Sequence, residues 1–170
     1  MDLDHFLSEA GIRLARHEHP AVMTVEEADR LVPPLPAAKT KNLFLRDKKG
    51  VRHVLVTVPS DCMVDLNALG KMIGIAGAGF ASPERLARHL GVAPGSVTLL
   101  ALINDLAHAV EFYIDRALWE ADAVRAHPLV NSATMVIPHA DLERFLAATG
   151  HSAHVIDVPR RVIAAMEKTQ

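Results

Sequence analysis

The sequence predicts an α+β fold: one domain over residues 1–170, with a mixed, mainly antiparallel sheet flanked by helices. Three observations predict it. Strand-like runs arrive in clusters with helical segments between them, several neighbouring runs are close enough to form hairpins, and strict βαβ alternation is absent. A chain of 170 residues, 50% hydrophobic, has enough apolar surface for one well-buried core and too little length for two ordinary domains. No internal repeat, low-complexity segment or linker divides it.

Asp2 or Asp4 can cap a first helix to about Ala10, where Gly11 stops it, and residues 12–19 (IRLARHEH) then alternate as a strand does. Thr24 and Glu27 form a capping box that opens a short helix through Leu31. The run Pro33 to Pro36 ends that helix by removing donors. From Lys41, NLFLRDKKGVRHVLVTV reads as two strands joined by a polar turn around Asp47 to Gly50. Asp65 caps a helix over Leu66 to Ile73, and GIAGAGF after it is too rich in glycine for a helix interior. Ser82 as cap, Pro83 at the first helical position and Gly91 just past the end define the next helix.

VTLLALI, a short apolar run bounded by turn residues, predicts a buried strand, and AVEFYID and LWEADAV add strand-like material. NSATMVI predicts one more. Pro138 and Asp141 begin a helix through Ala148 that Gly150 ends, and HVIDV returns to the sheet.

The net charge of −2 excludes a broad electrostatic grip on nucleic acid, so any such contact is local. Its candidate residues are Lys39, Lys41, Arg46, Lys48, Lys49 and Arg52, six bases in fourteen positions with Asp47 the one acid among them. A solvated hairpin tip is the structural alternative. No apolar run approaches the roughly 20 residues of a membrane span. The N-terminus lacks a signal-peptide pattern, so a cytoplasmic location is expected. The single Cys62 can form neither an internal disulfide nor a zinc knuckle.

Familiar catalytic patterns are missing: there is no GxSxG, no Walker loop and no HExxH. Gly74, Gly77 and Gly79 do not give GxGxxG, and a helix precedes them where a dinucleotide loop needs a strand. His151, His154 and Asp157 lack a convincing further donor for a metal and read as surface or cap residues, while Cys62 reads as a small core residue. No metal or cofactor is expected. Two segments carry more. PGSVTLL sets a proline and Gly95 before Ser96 and Thr98, a turn that can aim backbone N–H groups at a carbonyl or oxyanion. HPLVNSAT packs His127, Asn131, Ser132 and Thr134 into eight residues leading to a strand. Side by side, the polar ends of these segments would converge on one small pocket lined by alanine, glycine and valine.

Five motifs in order are Thr40-Lys41-Asn42-Leu43-Phe44, FASPERLARHLGVAPGSVT, Asn104-Asp105, HPLVNSAT and Gly150-His151. Together they resemble the YbaK/ProX group of trans-editing aminoacyl-tRNA deacylases, relatives of the editing insertion of bacterial prolyl-tRNA synthetase, and most nearly the branch that removes alanine from proline tRNA. The resemblance covers roughly Thr24 to Val158. It implies a compact, barrel-like α+β domain whose pocket takes the aminoacylated terminal adenosine and sets water against the ester carbonyl, with the substrate's ribose hydroxyl helping to orient that water. It implies that Lys41 contacts the terminal nucleotide or carbonyl with Asn42 in support. Gly95 to Thr98 would form the substrate-facing loop, and His127, Asn131, Ser132 and Thr134 would shape the amino-acid pocket. The implied partner is the charged end and acceptor stem of proline tRNA, with prolyl-tRNA synthetase or an elongation factor as transient partners, and the expected state is a monomer.

Two residues depart from the family pattern. Leu99 stands where proline is common, which bears on loop rigidity, and NSAT replaces NTAT, which bears on pocket size. An aminoacyl ester is already activated, so positioning and oxyanion stabilisation suffice without a visible triad. A synthetase pocket built for proline cannot exclude a smaller side chain, because a missing methylene is worth only about 1–3 kcal/mol. A second, smaller sieve is the remedy. The alternatives are the same chemistry on seryl- or cysteinyl-tRNA, a non-catalytic RNA-binding or regulatory module, and, more remotely, DNA binding.

Overall fold

Asp2 accepts the His5 N–H and starts α1 (Leu3–Glu9), which precedes β1 (Ala15–Glu18). Thr24 accepts from Glu27 N and opens α2 (Val25–Leu31), while the Glu27 carboxylate reaches back to the Met23 N–H at 2.6 Å. The capping box therefore closes one residue earlier than its usual form. The computed structural model describes residues 1–162, and the domain's last residues lie outside that range.

The hairpin of β2 (Thr40–Arg46) and β3 (His53–Pro59) pairs in full antiparallel register, from Thr40 opposite Pro59 to Arg46 opposite His53. Its turn forms where expected: Asp47 Oδ1 accepts the N–H groups of Val51 and Arg52, and Gly50 adopts φ +69°. α3 (Leu66–Ile73) follows, capped by Asp65, and then the two-residue β4 (Gly79–Phe80) lies against the far end of β2. α4 (Pro83–Leu90) runs from its Ser82 cap to Gly91 at φ +64°. The remaining elements are β5 (Val110–Asp115), α5 (Arg116–Trp119), β6 (Ala123–Ala126), β7 (Ala133–Pro138), α6 (His139–Thr149) and β8 (Ala153–Ile156).

Two expectations are corrected here. VTLLALI is not a strand: Leu99–Asn104 is a 3-10 helix whose residues Leu99 to Ile103 are all buried, opened by Thr98 Oγ1 accepting from Leu100 N. A uniformly apolar run carries no period, so burial alone did not fix its backbone. LWEADAV likewise divides between α5, capped by Asp115, and the start of β6.

The strands form two sheets. The larger has the order β4-β2-β3-β5-β8, antiparallel on the β2 side and parallel from β3 to β8; the smaller, β1-β7-β6, is antiparallel. β3 is central and buried from His53 to Val58, as expected of a strand covered on both faces. Alternation along the hairpin divides the core. Phe44 and Leu55 join Phe112, the 3-10 helix and Phe145 of α6 on one face, while Leu45, Val54 and Val56 join Leu69 and Cys62 on the other. The sheets do not close into a barrel. They are stitched at one seam, where Ala38 bridges Val124, Arg125 N donates to Ala38 O at 3.0 Å, and Thr40 Oγ1 donates to Arg125 O at 2.7 Å.

Candidate active site

A cavity of about 290 Å³ opens at this seam. One wall is the start of β2, with Thr40, Lys41 and Asn42; the facing wall is the end of β6 and the middle of the smaller sheet, with Ala126, His127 and Thr134. α2 closes one side with Val25, Ala28 and Asp29, and Gly95 and Val97 close another. β4 pairs with β2 at Leu45 and Arg46, so among the described residues no strand covers that edge of β2 at Lys41 and Asn42.

Thr57 on β3 donates to Asn42 Oδ1 at 2.7 Å, which fixes the amide and leaves its NH₂ group to face outward bonds. Lys41 has no carboxylate within 4.0 Å among the described residues, whereas Lys39 pairs with Asp29 at 2.6 Å, both half exposed at the mouth. Lys41 also lines a second, smaller cavity with Leu43, Val64, Leu66, Phe80 and Arg161.

Gly95 has φ +88°, and a Cβ there would lie 2.8 Å from Met23 Cε. Met23 is held by Glu27 at its N–H and by the Asn131 amide at its sulfur, 3.2 Å away. Glycine is required twice, by conformation and by the methionine packed on it. The Ser96 N–H is closed onto Ala93 O at 3.0 Å, so it is not free for an oxyanion. The N–H groups of Gly95 and Val97 have no intramolecular acceptor among the described residues.

His127 Nδ1 lies 2.9 Å from Ala133 O and His19 Nε2 lies 2.8 Å from Thr134 Oγ1, with the two rings 6.3 Å apart. Burial pushes the His127 pKa below the ordinary imidazole value, the bond to Ala133 opposes this, and His19 adds to it.

The structure thus brings Lys41, Asn42, Gly95, His127 and Thr134 to one cavity and leaves other sequence candidates outside its wall. Thr98 is fully buried and serves as the 3-10 cap; Asn131 donates to Val22 O and takes its N–H in return; Ser132 O accepts from His19 N. These three brace the loops behind the wall, and Ser96 braces its own turn. Of the basic candidates, Arg46 is turned onto the carbonyls of Asp47 and Gly77, and Arg52 is paired bidentately with Glu111 at 2.7 Å. Lys48 and Lys49 remain exposed.

Sequence reasoning missed His19, Met23 and Arg125. Arg125 lines the cavity and donates to Leu35 O and Ala37 O, holding the proline-rich loop at the mouth. The signals were weak: a lone arginine in a short strand and a histidine before Pro20. The reading of His151 as a surface or cap residue is also corrected. Its Nε2 is buried against Asp105 Oδ2 at 3.0 Å, which joins two motifs of the sequence, Asn104-Asp105 and Gly150-His151, into one brace away from the cavity. His154 instead stacks on Tyr113. Cys62 is buried, and its thiol pKa is raised by that burial.

Comparison with known proteins identifies the family. The family model for the aminoacyl-tRNA editing domain matches residues 19–145. The chain is 36% identical over 152 residues to the prolyl-tRNA editing protein ProX of Acetoanaerobium sticklandii, covering 89% of this chain and 93% of that one. It is 40% identical over 157 residues to prolyl-tRNA synthetase associated domain-containing protein 1 of Danio rerio, covering 91% and 85%. Among solved structures, one provisionally described as a trans-editing enzyme for prolyl tRNA synthetase superposes with a TM-score of 0.69 at 23% identity, covering 94% of this chain and 96% of that one. The structure of hypothetical protein APE2540 gives a TM-score of 0.71 at 20% identity over 93% of this chain and 99% of that one. The chain therefore belongs to the aminoacyl-tRNA editing domain family, within the YbaK/ProX group of aminoacyl-tRNA deacylases.

Proposed function

We propose that the seam cavity hydrolyses alanine from mischarged proline tRNA. The observation that carries this reading is the meeting of Lys41, the Gly95 turn and His127 around a single chamber with small or β-branched walls, Val25, Ala28, Val97 and Ala126. A short acyl group fits between such walls, and a volume near 290 Å³ leaves space for the ribose it is esterified to. The names of relatives from two organisms point to proline tRNA.

In this reading a water attacks the ester carbonyl carbon, the carbonyl oxygen becomes an oxyanion, and the bond to the ribose oxygen breaks as the carbonyl re-forms. The proton lost by the water ends on the released ribose oxygen, and the neighbouring ribose hydroxyl orients the water. The Lys41 ammonium and the free N–H groups of Gly95 and Val97 stabilise the developing negative charge, a contribution worth about 10²–10³ in rate per donor. Asn42 holds the substrate beside Lys41. Asn131, Ser132, Ser96 and Thr98 act by fixing the loops on which the touching residues sit. Lys48 and Lys49 meet the acceptor stem, since β2 sets the hairpin tip roughly 17 Å beyond Lys41 at about 3.4 Å per residue. The protein works as a cytoplasmic monomer that meets tRNA after its release from the synthetase or on an elongation factor.

Deacylation of alanyl-, seryl- and cysteinyl-tRNA(Pro) by the native chain tests the reading. Alanyl-tRNA is expected to be cleared fastest. Equal rates for all three would overturn the alanine assignment, and no hydrolysis of any would favour a non-catalytic RNA-binding module.

A further inference from the structure

We infer that the His127–Thr134 end of the cavity is a subsite for the protonated α-amino group of the acyl moiety, and that His19 is the positioning residue that sets its polarity. The inference rests on the deacylase reading above. It starts from protons. His19 Nδ1 lies 2.8 Å from Pro20 O, and a carbonyl only accepts, so Nδ1 carries the hydrogen. In the neutral ring Nε2 is then bare, and it lies 2.8 Å from Thr134 Oγ1. The single hydroxyl proton of Thr134 is drawn to His19, and what Thr134 turns to the cavity is lone pairs. The same logic holds for His127, whose Nδ1 donates to Ala133 O at 2.9 Å and whose Nε2 is left as an acceptor. Burial pushes the pKa of that ring below the ordinary imidazole value, which favours its uncharged form.

The opposite wall has the reverse polarity. Lys41 can only donate, and Asn42, with its oxygen held by Thr57 at 2.7 Å, offers its NH₂. Lys41 and Asn42 of β2 line the same small chamber as the acceptors of His127 and Thr134, and the Arg125 guanidinium, which also lines it, is turned onto the carbonyls of Leu35 and Ala37. An aminoacyl ester has matching ends: an electron-rich carbonyl and phosphodiester on one side of the α-carbon, and an ammonium with three N–H donors on the other. The remaining acidic group on the wall, Asp29, is half exposed at the mouth and committed to Lys39 at 2.6 Å.

The test compares alanyl-tRNA(Pro) with lactyl-tRNA(Pro), in which a hydroxyl replaces the amine at nearly constant size. Each enzymatic rate is divided by the spontaneous hydrolysis rate of the same ester, because the ammonium itself activates the ester. Loss of charge-assisted hydrogen bonds lowers the native chain's enhancement on the lactyl ester by at least about 10-fold. Thr134→Val keeps the side-chain shape and removes the acceptor, and His19→Phe frees the threonine proton to face the ligand. Both are expected to shrink that ratio towards one, whereas Asp29→Asn preserves it.

Equal enhancement of both esters by the native chain would overturn the subsite while leaving the deacylase reading intact. Hydrolysis of neither ester would overturn both together. A native ratio that survives both His19→Phe and Thr134→Val, or one that collapses in Asp29→Asn, would place the amine elsewhere and refute the assignment.

Discussion

At Gly95, the left-handed backbone and the methyl of Met23 occupy the space a side chain would need. Gly95→Ala is therefore expected to lower stability by about 1–3 kcal/mol and to displace the turn that lines the cavity, measured by thermal denaturation and single-turnover deacylation. Met23→Ala in the same chain relieves the collision but not the φ +88° strain, so only part of the stability returns. Full recovery in the double variant would show that conformation contributes nothing there. That Lys41, Gly95 and His127 line one cavity was legible in the sequence through the motifs that carry them. His19 was not, because its role depends on β1 pairing with β7, which sets His17 opposite Thr134 and leaves the loop after β1 to bring a histidine back to the same threonine. That register is not encoded in any local pattern.

Among the elements, those with local punctuation were readable to the residue. α4 has its cap, its proline and its closing glycine within ten positions, and α3 begins and ends where Asp65 and Gly74 set it. The 3-10 helix has its Thr98 cap but no closing glycine and no apolar period, and its packing against α4 and α1 decides its shape. Its exit is fixed by Asp105, which accepts from Ala109 N, Val110 N and His151 in the buried space before β5. Burial acts to raise the Asp105 pKa, but the bonds from His151, Val110 and Ala109 outweigh it and hold the carboxylate below its ordinary range. Asp105→Ala orphans all three donors, at a cost of about 3 kcal/mol. In a domain of this size that is a fall of roughly 6–12 °C in Tm. Deacylation well below Tm should remain near native, because Asp105 lines no part of the cavity. A large loss of activity without loss of Tm would mean that the brace reaches the site after all.

For the whole molecule, three histidines determine how stability depends on pH near neutrality. Burial pushes the pKa of His53, His89 and His127 below the ordinary value, and in His53 the neighbouring His89 and Arg85 add to it. The Arg85 guanidinium donates to His53 Nε2 at 2.9 Å, a bond that an imidazolium cannot accept. The unfolded chain takes up protons at these positions near pH 6.5 while the folded chain does not, so stability rises with pH up to about 6.5 and then levels. Denaturant midpoints from pH 5 to 8 check this; a midpoint that falls as pH rises from 5 to 6.5 would reverse the sign. His53→Phe is expected to flatten part of that slope. The fold class was predictable from clustered strands, but the division into two sheets was not, since a seam of a few bonds between Ala38 and Arg125 leaves no mark on either segment.

The claim that the seam cavity performs the hydrolysis is tested most directly by single-turnover deacylation of alanyl-tRNA(Pro) with the native chain and with Lys41→Ala. The half-exposed lysine on β2 is expected to fold equally well when truncated and to lose about 100-fold in rate. A Lys41→Ala chain that is fully folded and clears the ester at the native rate would contradict the account.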